Sequence, residues 1–87
     1  MNAEAFPPFE LAVLYVPKIY QDIMSVDKKI EAAVGKTSWA GGYGFGQRDI
    51  CFNFVHRHEA SAAQKRVLEL DDVFEMTTSI KEREPLP

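Results

Sequence analysis

The stretch Trp39-Ala-Gly-Gly-Tyr-Gly-Phe-Gly-Gln-Arg-Asp-Ile-Cys-Phe-Asn-Phe54 decides the fold of this chain. It holds four of the five glycines, the only tryptophan and the only cysteine. Ile50, Phe52 and Phe54 share one parity, as the buried side of a strand does. The pattern predicts a hairpin with strands over Lys36–Gly42 and Arg48–His56. The glycine-rich segment Tyr43–Gln47 is its turn or bulge.

Two elements precede this hairpin. Phe9–Val16 is apolar at both parities apart from Glu10, which is typical of a central strand. Lys18–Val34 has apolar residues spaced four and three apart, which predicts an amphipathic helix. That helix begins either near Lys18 or later, with Ser25 as its N-cap, and Gly35 suits the left-handed residue after its end.

Two more elements follow the hairpin. Glu59–Leu70 is predicted to form a second helix, whose buried face begins with the small side chains of Ala60 and Ala63. Asp71 and Asp72 make a turn, and Val73–Lys81 forms the last strand. Phe74, Met76, Thr78 and Ile80 share one face of this strand, and this alternation is typical of an edge strand.

The order β-α-β-β-α-β predicts an α+β fold of the ferredoxin-like kind, a four-stranded antiparallel sheet with two helices on one face. The first and third strands, which are the most apolar, should be central. Eighty-seven residues predict a single domain over 1–87. We expect an ordered core over about 9–82 with tails at 1–8 and 83–87.

Composition excludes several classes of function. The net charge of −3 disfavours a nucleic-acid partner, because such binding depends on Lys and Arg neutralising phosphates. No apolar run is long enough to span a membrane. Met1–Pro8 lacks a signal-peptide pattern, and one cysteine cannot form an internal disulfide. These features predict a cytoplasmic protein with no cofactor.

The glycine-rich hairpin is the candidate ligand site. Glycine permits close backbone approach to a phosphate, although phosphate loops need a following helix and a strand follows here. The structural alternative is a glycine-bulged hairpin with Tyr43 and Phe45 packed over it. The candidate ligand-binding residues are Trp39, Gly42, Tyr43, Gly44, Phe45, Gly46 and Arg48.

Two fragments resemble the RNA-recognition-motif family, which shares this topology. Leu14-Tyr15-Val16 is similar to the start of that family's first-strand signature, and Gly42-Tyr43-Gly44-Phe45 to part of its third-strand signature. The resemblance implies a single-stranded RNA-binding module as one alternative function. Against it, the outward residues of the predicted third strand, Cys51, Asn53 and Val55, cannot stack on a base.

Cys51, His56 and His58 raise the question of a nucleophile pair or a metal site. Alternation places His56 on the parity opposite to Cys51, and no zinc-ligand spacing is present. We therefore predict no catalytic residue and no metal. A small enzyme with a pocket on the sheet is a second alternative.

A sheet with helices on one side leaves its other face uncovered. Apolar patches of this kind on small domains mark interfaces. The sequence therefore predicts a non-enzymatic binding domain that forms a homodimer, or binds a protein partner, through the helix-free face. The candidate interface residues are Tyr15, Trp39, Cys51, Asn53 and Val55.

Overall fold

The structure is a computed structural model that describes residues 7–17, 23–70 and 75–83. Its elements follow the order β-α-β-β-α-β, which confirms the predicted ferredoxin-like arrangement. They are β1 (Phe9–Tyr15), α1 (Ile23–Val34), β2 (Ala40–Gly44), β3 (Gln47–Phe54), α2 (Arg57–Leu68) and β4 (Thr77–Glu82). The predicted start of the first helix at Lys18, the Asp71-Asp72 turn and Phe74 lie outside the described residues.

The four strands form one antiparallel sheet in the order β2-β3-β1-β4. The two most apolar strands are therefore central, as predicted. Their pairing aligns Leu11 with Phe52 and Val13 with Ile50. These four side chains are completely buried, so one parity of each central strand faces the helices.

The core lies between this face and one side of each helix. In α2 the buried face begins with the small side chains of Ala60 and Ala63, as predicted. The twelve buried residues are Leu11, Val13, Tyr15, Val26, Ile30, Val34, Ile50, Phe52, Phe54, Ala60, Ala63 and Val67.

Two boundaries in the first half differ from the prediction. Ser25 lies inside α1, so it is not the N-cap. The second strand begins at Ala40 and not at Lys36, because the preceding loop is tied to other elements. Glu31 accepts hydrogen bonds from the backbone N–H and the hydroxyl of Ser38, each at 2.9 Å, and the Lys36 ammonium bonds the Asn53 carbonyl.

The hairpin turn is shorter than predicted. It consists of Phe45 and Gly46, whose φ angles of 53° and 78° are both positive. Positive φ at both central residues is the mark of a type I′ turn, whose twist matches that of the flanking strands. Gly44 and Gln47 consequently belong to the strands.

Candidate functional site

The helix-free face of the sheet is the candidate site, and strand register defines it row by row. Ala40 pairs with Cys51, Cys51 with Ala12, and Ala12 with Ser79. These four residues form a row across all four strands, which we name the small-residue band. Because no long side chain rises from it, another backbone can approach this band closely.

One end of the helix-free face is polar. Arg83, which the sequence assigned to the tail, places its guanidinium 3.1 Å from Glu10 Oε2 and 2.9 Å from Asn53 Oδ1. The same guanidinium lies 5.6 Å from the centre of the Trp39 ring. Trp39 precedes β2 and is 50% exposed. An aromatic ring, a basic group and an acidic group therefore border the band at this end.

The other end of the face meets the hairpin. There Gly42 pairs with Asp49 and Leu14 with both Asp49 and Thr77. A shallow depression of about 310 Å³ lies at this end. Its lining consists of Leu14, Gly42, Tyr43, Gly44, Phe45, Gln47 and Asp49. The Asp49 carboxylate is its one charged group, so the depression does not suit an anionic ligand.

Four of the candidate ligand residues, Gly42, Tyr43, Gly44 and Phe45, line this depression, whereas Arg48 does not. Arg48 pairs with Tyr15, and its guanidinium bonds Asp27 of α1, with Nε and one terminal nitrogen 3.0 and 2.6 Å from Oδ2. Arg48, a candidate ligand-binding residue, therefore anchors the sheet to the first helix.

Tyr15 lies on the helix-covered side of the sheet, which corrects its predicted placement on the helix-free face. Its side chain is 1% exposed, and its hydroxyl donates a 2.7 Å hydrogen bond to Asp27 Oδ1. Burial, followed by the hydrogen bond and charge of Asp27, raises the pKa of the Tyr15 phenol. β1 is apolar at both parities, so the sequence could not decide which of its faces is covered.

Cys51 and Asn53 lie on the helix-free face, as expected, and Cys51 is half-buried even though neither α1 nor α2 covers it. Burial, with added contributions from the carboxylates of Glu10 and Asp49, raises the Cys51 pKa to about 11. The side chain is therefore a neutral thiol at physiological pH and a poor nucleophile. Val55 follows β3 and is 59% exposed.

His56 and His58 stack on each other at the start of α2, with ring centroids 5.4 Å apart. Both are exposed. Within residues 7–17, 23–70 and 75–83, no group of three or more His, Cys, Asp or Glu side chains could hold a metal ion.

The hairpin tip has a feature that the sequence did not predict. Phe45 does not pack over the glycines but is fully exposed, and Tyr43 is 60% exposed. A bulky residue with positive φ is uncommon and strained. The tip therefore presents an aromatic ring to solvent from a backbone that disfavours it.

No family model, no curated protein and no solved structure matches this chain. No helix in the described part of the chain has the length and apolar character needed to cross a membrane.

Proposed function

We propose that this protein is a non-catalytic interaction domain that self-associates by packing the helix-free faces of two copies together. The observation that carries this proposal is the small-residue band, Ala40–Cys51–Ala12–Ser79, which runs across the whole uncovered sheet. Stacked sheets lie about 10 Å apart. Small side chains on both faces permit an approach at least this close.

The charge layout supports a second copy as the occupant. Lys81, Arg83 and Glu10 lie beyond one side of the band, which leaves that side with a net positive charge, and Asp49 lies beyond the other. A two-fold axis along the band turns one face over onto the other and brings opposite ends together. Asp49 of each copy then approaches the basic end of its partner, so the two copies are electrostatically complementary.

The chemistry of the face supports binding more than catalysis or RNA recognition. Cys51 stays protonated, and the Glu10 carboxylate is already paired with Arg83. Base stacking needs aromatic side chains on the sheet surface. Tyr43 contributes only to the depression at the hairpin end. The residues of helix-free parity on the two central strands include no aromatic side chain; they are Glu10, Ala12, Leu14, Asp49, Cys51 and Asn53. We infer a cytoplasmic location from the single cysteine.

The test is a measurement of molar mass by light scattering after size exclusion, over about 1 to 100 µM protein. The variant is Ala12→Arg, which places a long charge in the middle of the band. The matched control is Ala62→Arg, which adds the same charge on the exposed side of α2. Ser79→Arg, at an exposed position in the same row, serves if Ala12→Arg does not fold.

We expect the molar mass of the wild type and of Ala62→Arg to rise with concentration. At the same concentrations, Ala12→Arg and Ser79→Arg should have a lower molar mass, because they lack the face-to-face contact. Equal molar mass in folded Ala12→Arg, Ser79→Arg and the control would overturn the proposal.

A further inference from the structure

The two edge strands of the sheet differ in how they are protected. An edge strand exposes unpaired N–H and C=O groups, and proteins usually blunt it with charges, proline or bulges. β4 carries the charged residues Lys81 and Glu82. β2 is Ala-Gly-Gly-Tyr-Gly, with no charge and no proline, and it pairs without interruption with β3 from Ala40 to Gly44. No strand of the described residues pairs with the outer edge of β2, so this edge can serve as a template for another strand.

The sequence of β2 is complementary to itself. If two copies pair antiparallel with Gly42 opposite Gly42, Tyr43 lies opposite Gly41 of the other copy and Ala40 opposite Gly44. Each larger side chain then faces a glycine, an arrangement that aromatic residues favour across a sheet. A Cβ on Gly41 would lie 3.1 Å from an Arg48 terminal nitrogen. The incoming Tyr43 ring would thus meet a guanidinium that Asp27 already holds in place.

The same register accounts for the exposed aromatic residues at the ends of β2. Phe45 falls three residues after Gly42 and Trp39 three residues before it. Antiparallel pairing about Gly42 therefore brings Phe45 of one copy beside Trp39 of the other. Trp39, Tyr43 and Phe45 are three of the exposed large hydrophobic residues of the described chain, and this register gathers all three at one contact.

We propose that β2 pairs antiparallel with the β2 of a second copy about a two-fold axis at Gly42, which joins the two sheets into one of eight strands. This contact goes beyond the face-to-face packing and uses different residues. It keeps both helix layers on one side, so two small-residue bands lie on the same open face.

A symmetric disulfide tests this register directly. Gly42→Cys, in a Cys51→Ser background, places two thiols opposite each other across the axis. A Cβ at Gly42 meets nothing within 4 Å, and its φ is not in the left-handed range. Cross-strand partners lie about 4.5–5.5 Å apart, within the range that a disulfide bridges. The oxidant is glutathione disulfide, and dimer formation is followed on non-reducing gels.

Gly44→Cys in the same background is the matched control, because a Cβ there also meets nothing. In the proposed register the two Gly44 positions are offset by four residues, about 13 Å, which is beyond disulfide reach. We expect Gly42→Cys to form a disulfide dimer at least roughly tenfold faster than Gly44→Cys. Equal rates in the two folded variants would overturn the β2 pairing.

Adding Ala12→Arg separates the two contacts. Persistence of the fast Gly42→Cys disulfide in this background supports edge pairing even if the face-to-face packing fails its own test. Loss of the fast disulfide would show that the thiols meet through the faces and would overturn the edge contact.

Discussion

At the scale of single residues, Phe45 is not the residue type that its position in the hairpin turn favours. A type I′ turn favours Asn-Gly, because asparagine tolerates positive φ better than an aromatic residue. Phe45-Gly46 occupies this turn with a fully exposed ring. Strain of this kind is found where function requires it. The proposed contact with Trp39 of a second copy would provide such a reason.

Replacing Phe45 by asparagine should stabilise the isolated fold. The left-handed conformation costs most residues about 1–2 kcal/mol, and asparagine less. We expect Phe45→Asn to raise the free energy of unfolding by about 1 kcal/mol, or Tm by about 4–8 °C. The measurement is urea and thermal unfolding of the Ala12→Arg protein with and without Phe45→Asn, at low protein concentration. A lower stability would mean that the Phe45 ring supports its own fold.

Tyr15 makes the free energy of unfolding depend on pH in the alkaline range. Its pKa is raised by burial and by Asp27, so the folded state keeps the phenol neutral while the unfolded chain ionises near the ordinary value of about 10. The contribution of Tyr15 is therefore complete below pH 10 and decreases as pH rises above it.

The measurement is urea unfolding of wild type and Tyr15→Phe between about pH 8 and pH 11. The variant loses the hydrogen bond to Asp27, which lowers its stability at every pH. Between about pH 9 and 11, however, the wild type should lose about 1 kcal/mol more than the variant. Parallel pH profiles would contradict the assignment. Lysines titrate in both proteins, so their effect cancels in the difference.

At the scale of elements, Arg66 joins the two helices. The last carbonyls of a helix lack partners within it. Arg66 of α2 donates hydrogen bonds from Nε to the Ala33 carbonyl at 2.6 Å and from a terminal nitrogen to the Val34 carbonyl at 2.8 Å. Its positive charge also interacts favourably with the negative C-terminal end of the α1 dipole. One side chain therefore caps α1 and fixes it against α2.

Removal of this cap should destabilise the fold. We expect Arg66→Gln to lower the free energy of unfolding by about 1 kcal/mol, reduced from the full value of charged hydrogen bonds because the side chain is exposed. Lys65→Gln removes the same charge from the neighbouring exposed position and should change stability by less than about 0.5 kcal/mol. Equal losses, measured by urea unfolding, would assign the effect to net charge.

The element boundaries show what sequence periodicity can and cannot predict. Helix and strand types were predictable because Ile50, Phe52 and Phe54 alternate, whereas Ala60, Ala63 and Val67 repeat at helical spacing. The start of β2 was not predictable. It depends on tertiary bonds from Lys36 and Ser38 that no local pattern encodes.

At the scale of the whole molecule, the candidate site was predictable as a face but not as a set of residues. Cys51 and Asn53 followed from alternation in β3. Ala12 and Leu14 were not distinguishable from Leu11 and Tyr15, because both parities of β1 are apolar. Arg83 was assigned to a tail, yet it docks on Glu10. Register between strands, which is non-local, decides these positions.

The most direct test of the central claim is the second-order rate constant for the reaction of the Cys51 thiol with a maleimide, measured at increasing protein concentration. Cys51 lies inside the small-residue band, and the proposed pairing at the β2 edge would leave it uncovered. We predict that this rate constant falls as the wild-type concentration rises, while that of Ala12→Arg stays the same. A wild-type rate constant that is independent of concentration over the range where molar mass increases would contradict packing through the helix-free face.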